Sequence, residues 1–185
     1  MTDVPIEVHP ATPDRWDDLV DLFERRGPRG GTPPTDGCWC MWWRQRTGDG
    51  AKNKLALKGL VEAEREPGLL AYESGVPVGW VSVGPRPEFG QLMRSRAYGP
   101  KEDQKAPDIF TIVCFYIHPA AKRRGVAGAL LDAAIKYAVG RGARTIEAYV
   151  LEGGDFMGRR EAYETRGFTE VRTAGKRAIL QYAAE

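Results

Sequence analysis

The chain has 185 residues, of which 42% are hydrophobic and 28% are charged, as in an ordinary globular protein. Its formal net charge of +2 is too small to indicate nucleic-acid binding, so we expect any electrostatic recognition to be local. No stretch reaches the apolar length of a membrane span and no signal peptide is visible, so we expect no membrane partner and a cytoplasmic location.

The three cysteines do not indicate a disulfide framework, because their number is odd and Cys38 and Cys40 are only one residue apart. A reducing compartment is the simpler interpretation. A metal site is not predicted either, since Cys-x-Cys is not the usual zinc spacing and His9 and His118 are not clustered with it. Cys114 is expected to be a small buried apolar residue.

The N-terminal part of the chain is predicted to contain one strand and two helices. A short strand is expected at residues 6–9. Thr12 and Pro13 favour the start of a helix, whose apolar side chains recur at helical spacing up to Phe23. A second helix is predicted over residues 53–66. Between the two helices lie a loop rich in glycine and proline and the aromatic run "CWCMWWR".

The central part of the chain is predicted to be rich in β-structure. Residues 69–83 are interpreted as a hairpin, since two β-prone runs flank Ser74 and Gly75. Residues 84–107 are rich in proline, glycine and charge, which predicts a long loop with a helical turn near residues 92–96. Residues 109–117, "IFTIVCFYI", are almost continuously apolar, which predicts a central strand covered on both faces.

The C-terminal part begins with a predicted helix from Gly125 to about Gly140, followed by a strand at residues 145–151. A strand, a helix and a strand within about forty residues form a βαβ unit, so the two strands should be parallel. A further helix is predicted over residues 156–166 with Gly167 as its C-cap. The last two strands, expected to pair antiparallel, are residues 168–174 and 177–183.

No linker or internal repeat divides the chain, so residues 1–185 are predicted to form a single domain.

The segment "HPAAKRRGVAGALL", residues 118–131, joins the predicted central strand to the next helix. The first amides of a helix have no partner within the helix, and the helix dipole adds positive potential. Gly125 lets a ligand approach the backbone closely, and three cations precede it. The turn therefore predicts a pyrophosphate site.

Two common phosphate motifs do not fit this turn. A P-loop carries its lysine after the second glycine, whereas here the cations precede the glycines. A dinucleotide fingerprint needs three glycines, and the turn has only Gly125 and Gly128. From the turn alone, a second interpretation is equally good: the loop binds no ligand, and Lys122, Arg123 and Arg124 are simply solvated.

A second motif, "AYETRGF" at residues 162–168, follows the next strand and helix. Together the two motifs resemble the GNAT superfamily of N-acetyltransferases. That family has the pattern Gln/Arg-x-x-Gly-x-Gly/Ala at the start of the helix after its fourth strand, and here Lys122, Gly125 and Ala127 take those positions. The family's Tyr-Glu-x-x-Gly-Phe pattern is matched by residues 163–168. The order of the predicted elements agrees with the family over nearly the whole chain.

The resemblance implies an α+β fold in which helices flank a central mixed, mostly antiparallel sheet of six to seven strands with a βαβ unit that binds acetyl-CoA. It implies acetyl-CoA as cosubstrate, no metal, and direct attack by a primary amine in a ternary complex. Lys122 replaces the usual Gln or Arg, and Phe156 stands where many members carry an Asn that contacts the pantetheine. The implied cofactor contacts are Phe115, Tyr116, Ile117, Lys122, Arg123, Arg124, Gly125, Val126, Ala127 and Gly128.

The implied chemistry needs an acid and a base. Tyr163 matches the tyrosine that in many members protonates the departing thiolate. The alternative interpretation is that Tyr163 is an amphipathic side chain that only packs against its neighbours. An alkylammonium with a pKa of about 10.4 must lose a proton before it can attack, which costs roughly 4–5 kcal/mol near pH 7. The family often places a glutamate on the fourth strand, where this chain has Thr111. The remaining candidates for the base are Asp108, Glu152 and Asp155. The alternative interpretation of each is a solvated loop carboxylate without a role in catalysis.

In this fold the segment between the first two helices commonly forms a wall of the acceptor pocket, and here it contains Trp39, Trp42 and Trp43. Three tryptophans in five positions cannot all lie on one face of a helix or strand. We expect at least one to anchor the loop and at least one to contact an acceptor with an apolar or aromatic portion. The 84–107 loop, with Phe89, Met93 and Tyr98, is expected to cover the same mouth.

Two other functions stay open at this stage. One is an acyl-CoA-binding sensor or scaffold without turnover, and the other is acetylation of a peptide or protein amine. The near-neutral charge disfavours an aminoacyl-tRNA as acceptor. The sequence does not fix the acceptor, the length of the acyl group or the oligomeric state, for which a homodimer is one option.

Overall fold

The computed structural model describes residues 4–33, 35–100 and 108–184. These residues form one mixed sheet with helices on both of its faces. The strands are β1 (Ile6–Pro10), β2 (Gly68–Glu73), β3 (Val76–Pro85), β4 (Ile109–Ile117), β5 (Thr145–Leu151), β6 (Thr169–Ala174) and β7 (Arg177–Ala183). The α-helices are α1 (Trp16–Glu24), α2 (Gly50–Glu62), α3 (Gly90–Arg94), α4 (Val126–Gly140) and α5 (Arg160–Glu164).

The strand order within the described sheet is β1-β2-β3-β4-β5-β7-β6. Neighbouring strands are antiparallel except β4 and β5, which run parallel because α4 returns the chain to the same end of the sheet. This arrangement confirms the predicted α+β fold, the mostly antiparallel sheet and the βαβ unit.

The β2–β3 hairpin has the two-residue turn that its sequence predicts. Ser74 and Gly75 both have positive φ values, 51° and 76°, and the flanking residues Glu73 and Val76 pair directly across the turn. Positive φ at both central positions gives the turn the twist that antiparallel strands need. The hairpin prediction is therefore confirmed.

The sheet buries apolar side chains on both faces, because successive strand residues point to opposite sides. In β2, Leu69 and Ala71 join the core under α4, whereas Leu70 joins the core formed with α1 and α2. The central strand β4 is likewise covered on both faces, as predicted, since Ile112 packs in the first core and Val113 in a third cluster.

A cleft opens between β4 and β5 because the two parallel strands pair over only part of their length. Ile109–Ile112 pairs with Thr145–Ala148, and no further pair is formed between these strands. Just beyond that point Cys114 has a positive φ of 51°, and the register of β4 against β3 shifts there. A bulge of this kind bends a strand and increases its twist, so β4 turns away from β5.

Two predicted helices have different bounds in the structure. The second helix begins earlier than residue 53 because Asp49 caps it by accepting a hydrogen bond from the Lys52 amide, and it ends before residue 66 because Glu64 and Glu66 adopt positive φ. The last helix, predicted over 156–166, begins only at Arg160, because residues 155–158 form a tight turn instead.

The predicted 84–107 loop is more ordered than expected over its described part. β3 continues to Pro85, a 3₁₀ turn spans Arg86–Glu88, and α3 follows; residues 101–107 lie outside the described residues. Within the described ranges, no helix has both the length and the apolar character needed to cross a bilayer. Those same residues also contain no group of three or more His, Cys, Asp or Glu side chains arranged to hold a metal ion.

Candidate functional site

A cleft of about 890 Å³ runs from the splayed end of β4 to the N-terminus of α4. Its lining includes Phe115–Ile117 on one side, the 122–128 turn at one end, and residues 155–163 on the other side. Nine of the ten residues that the sequence predicts to contact a cofactor line this one cleft; only Arg124 does not.

The turn before α4 has the geometry of an anion site. Gly125 has a φ of 82°, which an L-residue rarely adopts, and a Cβ placed on it would meet nothing within 4 Å. The first hydrogen bond of α4 runs from the Ala129 amide to the Gly125 carbonyl. The amides of residues 126–128 therefore precede the helical ladder and are available to a ligand, as at other helix N-termini.

The three cations of the turn separate into two groups. Lys122 and Arg123 are exposed and line the cleft. Arg124 points to the other side, where it pairs with Glu73 of the hairpin and lines a neighbouring cavity. Its prediction as a direct cofactor contact is not supported by this placement, because the Glu73 carboxylate holds its guanidinium away from the cleft.

The exposed edge of β4 offers backbone groups to the cleft. The His118 amide donates to the Val78 carbonyl of β3, so by alternation the amides of Phe115 and Ile117 point to the opposite side, toward the cleft. The Phe115 amide is already used, since it donates to the Phe156 carbonyl. The Ile117 amide faces the part of the cleft that β5 has left, which is the position expected for a pantetheine contact.

Tyr163 lies against the inner wall of the cleft and is fully buried. Its hydroxyl donates to the Met157 carbonyl at 3.0 Å, and its ring packs edge-on against Phe168. Burial, with smaller contributions from Cys114 and Asp155, raises the pKa of Tyr163 well above its usual value of 10.0. The hydroxyl therefore keeps its proton at neutral pH and acts as a hydrogen-bond donor.

The three candidate bases occupy different places. Asp155 lines the cleft, but its carboxylate accepts from Arg177 at 2.6 Å and from the Met157 amide at 2.8 Å. Asp108 precedes β4 and so lies at the end of that strand away from the cleft. Glu152 is exposed in the turn after β5. Thr111, which stands at the position of the family glutamate, is buried and donates to the Glu147 carbonyl at 3.3 Å.

A second, apolar pocket of about 340 Å³ adjoins the cleft, and the two cavities share Phe115 and Tyr116. This pocket, hereafter the apolar pocket, lies on the α1 side of the sheet. Its remaining lining residues come from five separate segments of the chain and are Phe23, Thr35, Cys38, Cys40, Trp42, Trp80, Cys114 and Phe156. The shared residues make the two cavities neighbours along β4.

The structure divides the three predicted acceptor tryptophans. Trp42 is 41% exposed and lines the apolar pocket. Trp39 is buried between Trp16 and Phe23 in the core under α1, and Trp43 packs against Tyr98 in the third cluster. The prediction that these two contact the acceptor is not supported, because their indoles fill the core on either side of Trp42.

Other site residues were not identified from the sequence. Arg159 lines the cleft and adds a cation to it, and Gly158 brings the backbone next to Tyr163, since a Cβ there would lie 2.9 Å from the Tyr163 ring. The glycines of the "EGGDFMGRR" segment, residues 152–160, favour a turn, whereas the helix predicted from the sequence begins at residue 156. The thiols of Cys38 and Cys40 carry no motif that predicts their place in a pocket.

Comparisons with known proteins agree with this geometry. The sequence profile of the acetyltransferase (GNAT) family matches residues 16–168. The fold is similar to the GNAT domain of S. lividans PAT, with a TM-score of 0.60 and 20% identity, over 97% of this chain and 90% of that one. It is also similar to the PaiA N-acetyltransferase from Thermoplasma acidophilum in complex with coenzyme A, with a TM-score of 0.56 and 13% identity, over 97% and 99% of the two chains.

A third similar structure is ribosomal-protein-alanine N-acetyltransferase from Brucella melitensis, with a TM-score of 0.57 and 16% identity, over 96% of this chain and 99% of that one. At these identities the likeness establishes the fold, and the profile match establishes the family. No curated protein matches the sequence.

Proposed function

The chain belongs to the acetyltransferase (GNAT) family, and we propose that it transfers the acetyl group of acetyl-CoA to the primary amine of a small molecule with an apolar or aromatic portion. The observation that carries the proposal is the junction of the two cavities at Phe115 and Tyr116. A thioester at the inner end of the cleft would lie close to an acceptor in the apolar pocket, because both cavities are lined by these two residues.

The turn before α4 fits the phosphates of the cofactor. Gly125 leaves open space where a side chain would stand, and Lys122, Arg123, Arg159 and residues 126–128 line the same cleft. Positive potential and uncommitted amides at a helix N-terminus are what a pyrophosphate requires. The Ile117 amide extends the same row of donors along β4 toward the pantetheine.

Acetyl-CoA supplies the activated acyl group, and the protein supplies position. The apolar pocket holds the acceptor beside the end of the cleft, so two separate reactants meet in one geometry, which is a large source of rate acceleration. Tyr163 is the proposed acid: its protonated hydroxyl is 3.0 Å from the Met157 carbonyl and can turn its hydrogen bond toward a sulfur that gains negative charge.

The size of the apolar pocket supports a small acceptor over a peptide. At about 340 Å³ it lies at the lower end of the range of small-molecule sites, with room for one or two rings. Aromatic side chains form most of its wall, which supports an acceptor with an apolar or aromatic portion.

Release of the CoA thiol, measured against a panel of small aromatic and aliphatic amines, tests the proposal. Thiol release should require the amine, and initial rates with both substrates varied should give intersecting double-reciprocal lines, as a ternary complex requires. Parallel lines together with acetylated protein in the absence of amine would show transfer through an enzyme nucleophile instead. Calorimetry that detects no acetyl-CoA binding would remove the proposal altogether.

A further inference from the structure

The wall of the apolar pocket consists almost entirely of aromatic side chains and thiols. Of its ten described lining residues, six are aromatic, three are cysteines and one is a threonine. No carboxylate or imidazole is among these ten, so the described wall holds neither a counter-charge for an ammonium group nor a strong base.

Two polar side chains of this wall are already hydrogen-bonded. The Thr35 hydroxyl donates to the Phe23 carbonyl at 2.7 Å, and the Trp80 indole N–H donates to the Cys40 sulfur at 3.0 Å. Burial raises the pKa of the Cys38 thiol, and a hydrogen bond to Cys40 together with burial raises that of Cys114. These two thiols are therefore protonated at neutral pH and do not supply a base. Burial opposes ionisation of Cys40, but hydrogen bonds with Cys114 and Trp80 lower its pKa overall, which makes its sulfur a weaker base than an ordinary thiolate.

The charges around the pocket also disfavour a cation. The Arg46 guanidinium stacks on Trp42, 3.8 Å from the ring centroid, and forms no ion pair with any described residue. The Arg177 guanidinium lies 5.9 Å from the Phe156 ring and pairs with Asp155. Asp155 is thus the acid that faces this region from the cleft, and its charge is balanced by Arg177.

We propose that the acceptor is an aromatic amine that is uncharged at neutral pH, with its ring in the apolar pocket and its nitrogen toward Phe115 and Tyr116. This inference rests on the proposed acetyl transfer and narrows its substrate class. Aromatic walls attract ammonium ions through their π-faces. An ammonium has no lone pair, however, so an alkylamine bound in this form cannot attack.

The proton balance distinguishes the two kinds of amine. When the nitrogen of an uncharged aromatic amine attacks the thioester carbonyl, the N–C bond forms and the C–S bond breaks. One N–H proton passes to the thiolate, so the products are a neutral amide and a neutral thiol, and no base is left protonated. An alkylammonium must release one more proton, and at pH 7 only about one molecule in a few thousand is already neutral.

The isomers p-toluidine and benzylamine test this inference, since they have the same atoms and nearly the same size but differ in basicity. At pH 7 we expect kcat/KM for p-toluidine to exceed that for benzylamine by at least about tenfold, because only a small fraction of benzylamine is neutral at this pH. From pH 6 to pH 9, kcat/KM should stay flat for p-toluidine and rise about tenfold per pH unit for benzylamine.

A carboxylate introduced into the wall should change this preference. Cys38 is a half-buried residue of the wall, so Cys38→Asp would bring a counter-charge and a proton acceptor into the pocket, and Cys38→Asn is its neutral control of similar size. The ratio of kcat/KM for benzylamine to that for p-toluidine should rise at least about tenfold in Cys38→Asp and stay near the wild-type value in Cys38→Asn.

The outcomes separate this inference from the proposed function. Equal or better turnover of benzylamine at pH 7 in the wild-type protein would overturn the aromatic-amine inference and leave acetyl transfer intact. An unchanged ratio in a folded Cys38→Asp variant would also overturn it. Loss of acetyl-CoA binding or of all thiol release, with any amine, would instead count against the proposed function.

Discussion

The glycine turn before α4 gives the sharpest test of the cofactor site, because the chain contains a matched control. Gly125 and Gly142 flank opposite ends of α4, have φ values of 82° and 87°, and would each receive a Cβ into open space. Any substitution at either position therefore has the same backbone cost, about 1–2 kcal/mol for an ordinary L-residue in this conformation. Only Gly125 lies beside the cleft.

Gly125→Asp should weaken acetyl-CoA binding through charge as well as bulk. A carboxylate about 5 Å from each of two phosphate charges costs about 1–3 kcal/mol in total at the dielectric of an exposed site. It would also compete for the amides of residues 126–128, as acidic side chains do at helix N-termini. We expect the dissociation constant of acetyl-CoA to rise about 10–100-fold.

Calorimetric titration of acetyl-CoA into the wild-type protein, Gly125→Asp and Gly142→Asp measures this effect directly. Gly142→Asp should bind with the wild-type affinity, and the loss in Gly125→Asp should shrink at high salt because exposed charges are screened. An unchanged affinity in a folded Gly125→Asp variant, or the same loss in Gly142→Asp, would refute the placement of the phosphates at this turn.

Three further predictions follow from the surroundings of individual aromatic side chains. Tyr163→Phe should lower kcat about 100-fold with acetyl-CoA affinity within about twofold, which steady-state kinetics and calorimetry would check; wild-type turnover at every pH would make Tyr163 a packing residue. Trp42→Ala should raise the acceptor KM about tenfold with little loss of stability, whereas Trp43→Ala should lower the free energy of unfolding by about 3–5 kcal/mol. Steady-state kinetics and urea titrations of both variants would test this, and the reverse pattern would contradict the placement of the two side chains. Burial, and then nearby carboxylates, raise the pKa values of Tyr72, Tyr137 and Tyr149 above 10.0. The free energy of unfolding should therefore be unaffected by these groups below pH 10 and should decrease as the pH rises beyond it, because the unfolded chain loses these protons first. Urea titrations from pH 8 to pH 11 should detect this loss.

The sequence predicts the sheet well because its strands and turns have local signals. Ser74 and Gly75 form the predicted hairpin turn, and Gly125 opens the predicted helix with a positive φ. Helix bounds are less well predicted, because they depend on contacts that no local pattern shows. α2 ends before residue 66 because Glu64 and Glu66 turn back toward β2, and residues 155–158 form a turn in which the Met157 amide bonds the Asp155 side chain.

The cofactor cleft and the apolar pocket differ in how far the sequence predicts them, and the reason is physical. One side of the cleft and its phosphate end are built by one continuous strand–turn–helix segment, so spacing alone brings the Ile117 amide, Lys122 and Gly125 to one place. The apolar pocket is assembled by tertiary packing from α1, the 35–42 segment, β3, β4 and the turn at Phe156. No period or motif connects those segments. Within the aromatic run "CWCMWWR", Trp42 lines the pocket, whereas Trp39 and Trp43 are buried and anchor the loop, and the sequence does not distinguish these roles.

The bulge at Cys114 links the two cavities and explains why one strand can serve both. Before the bulge, β4 pairs with β5 and its side chains fill the core; after it, the strand leaves β5 and its backbone edge faces the cleft. Cys114 itself lines the apolar pocket, and the next residue, Phe115, lines both cavities. A one-residue irregularity therefore opens the cleft and sets where it meets the apolar pocket.

Deleting Cys114 would restore regular pairing and should abolish acetyl-CoA binding while the chain still folds, which calorimetry and circular dichroism together would measure. A folded deletion variant with wild-type affinity would show that the cleft does not depend on the bulge.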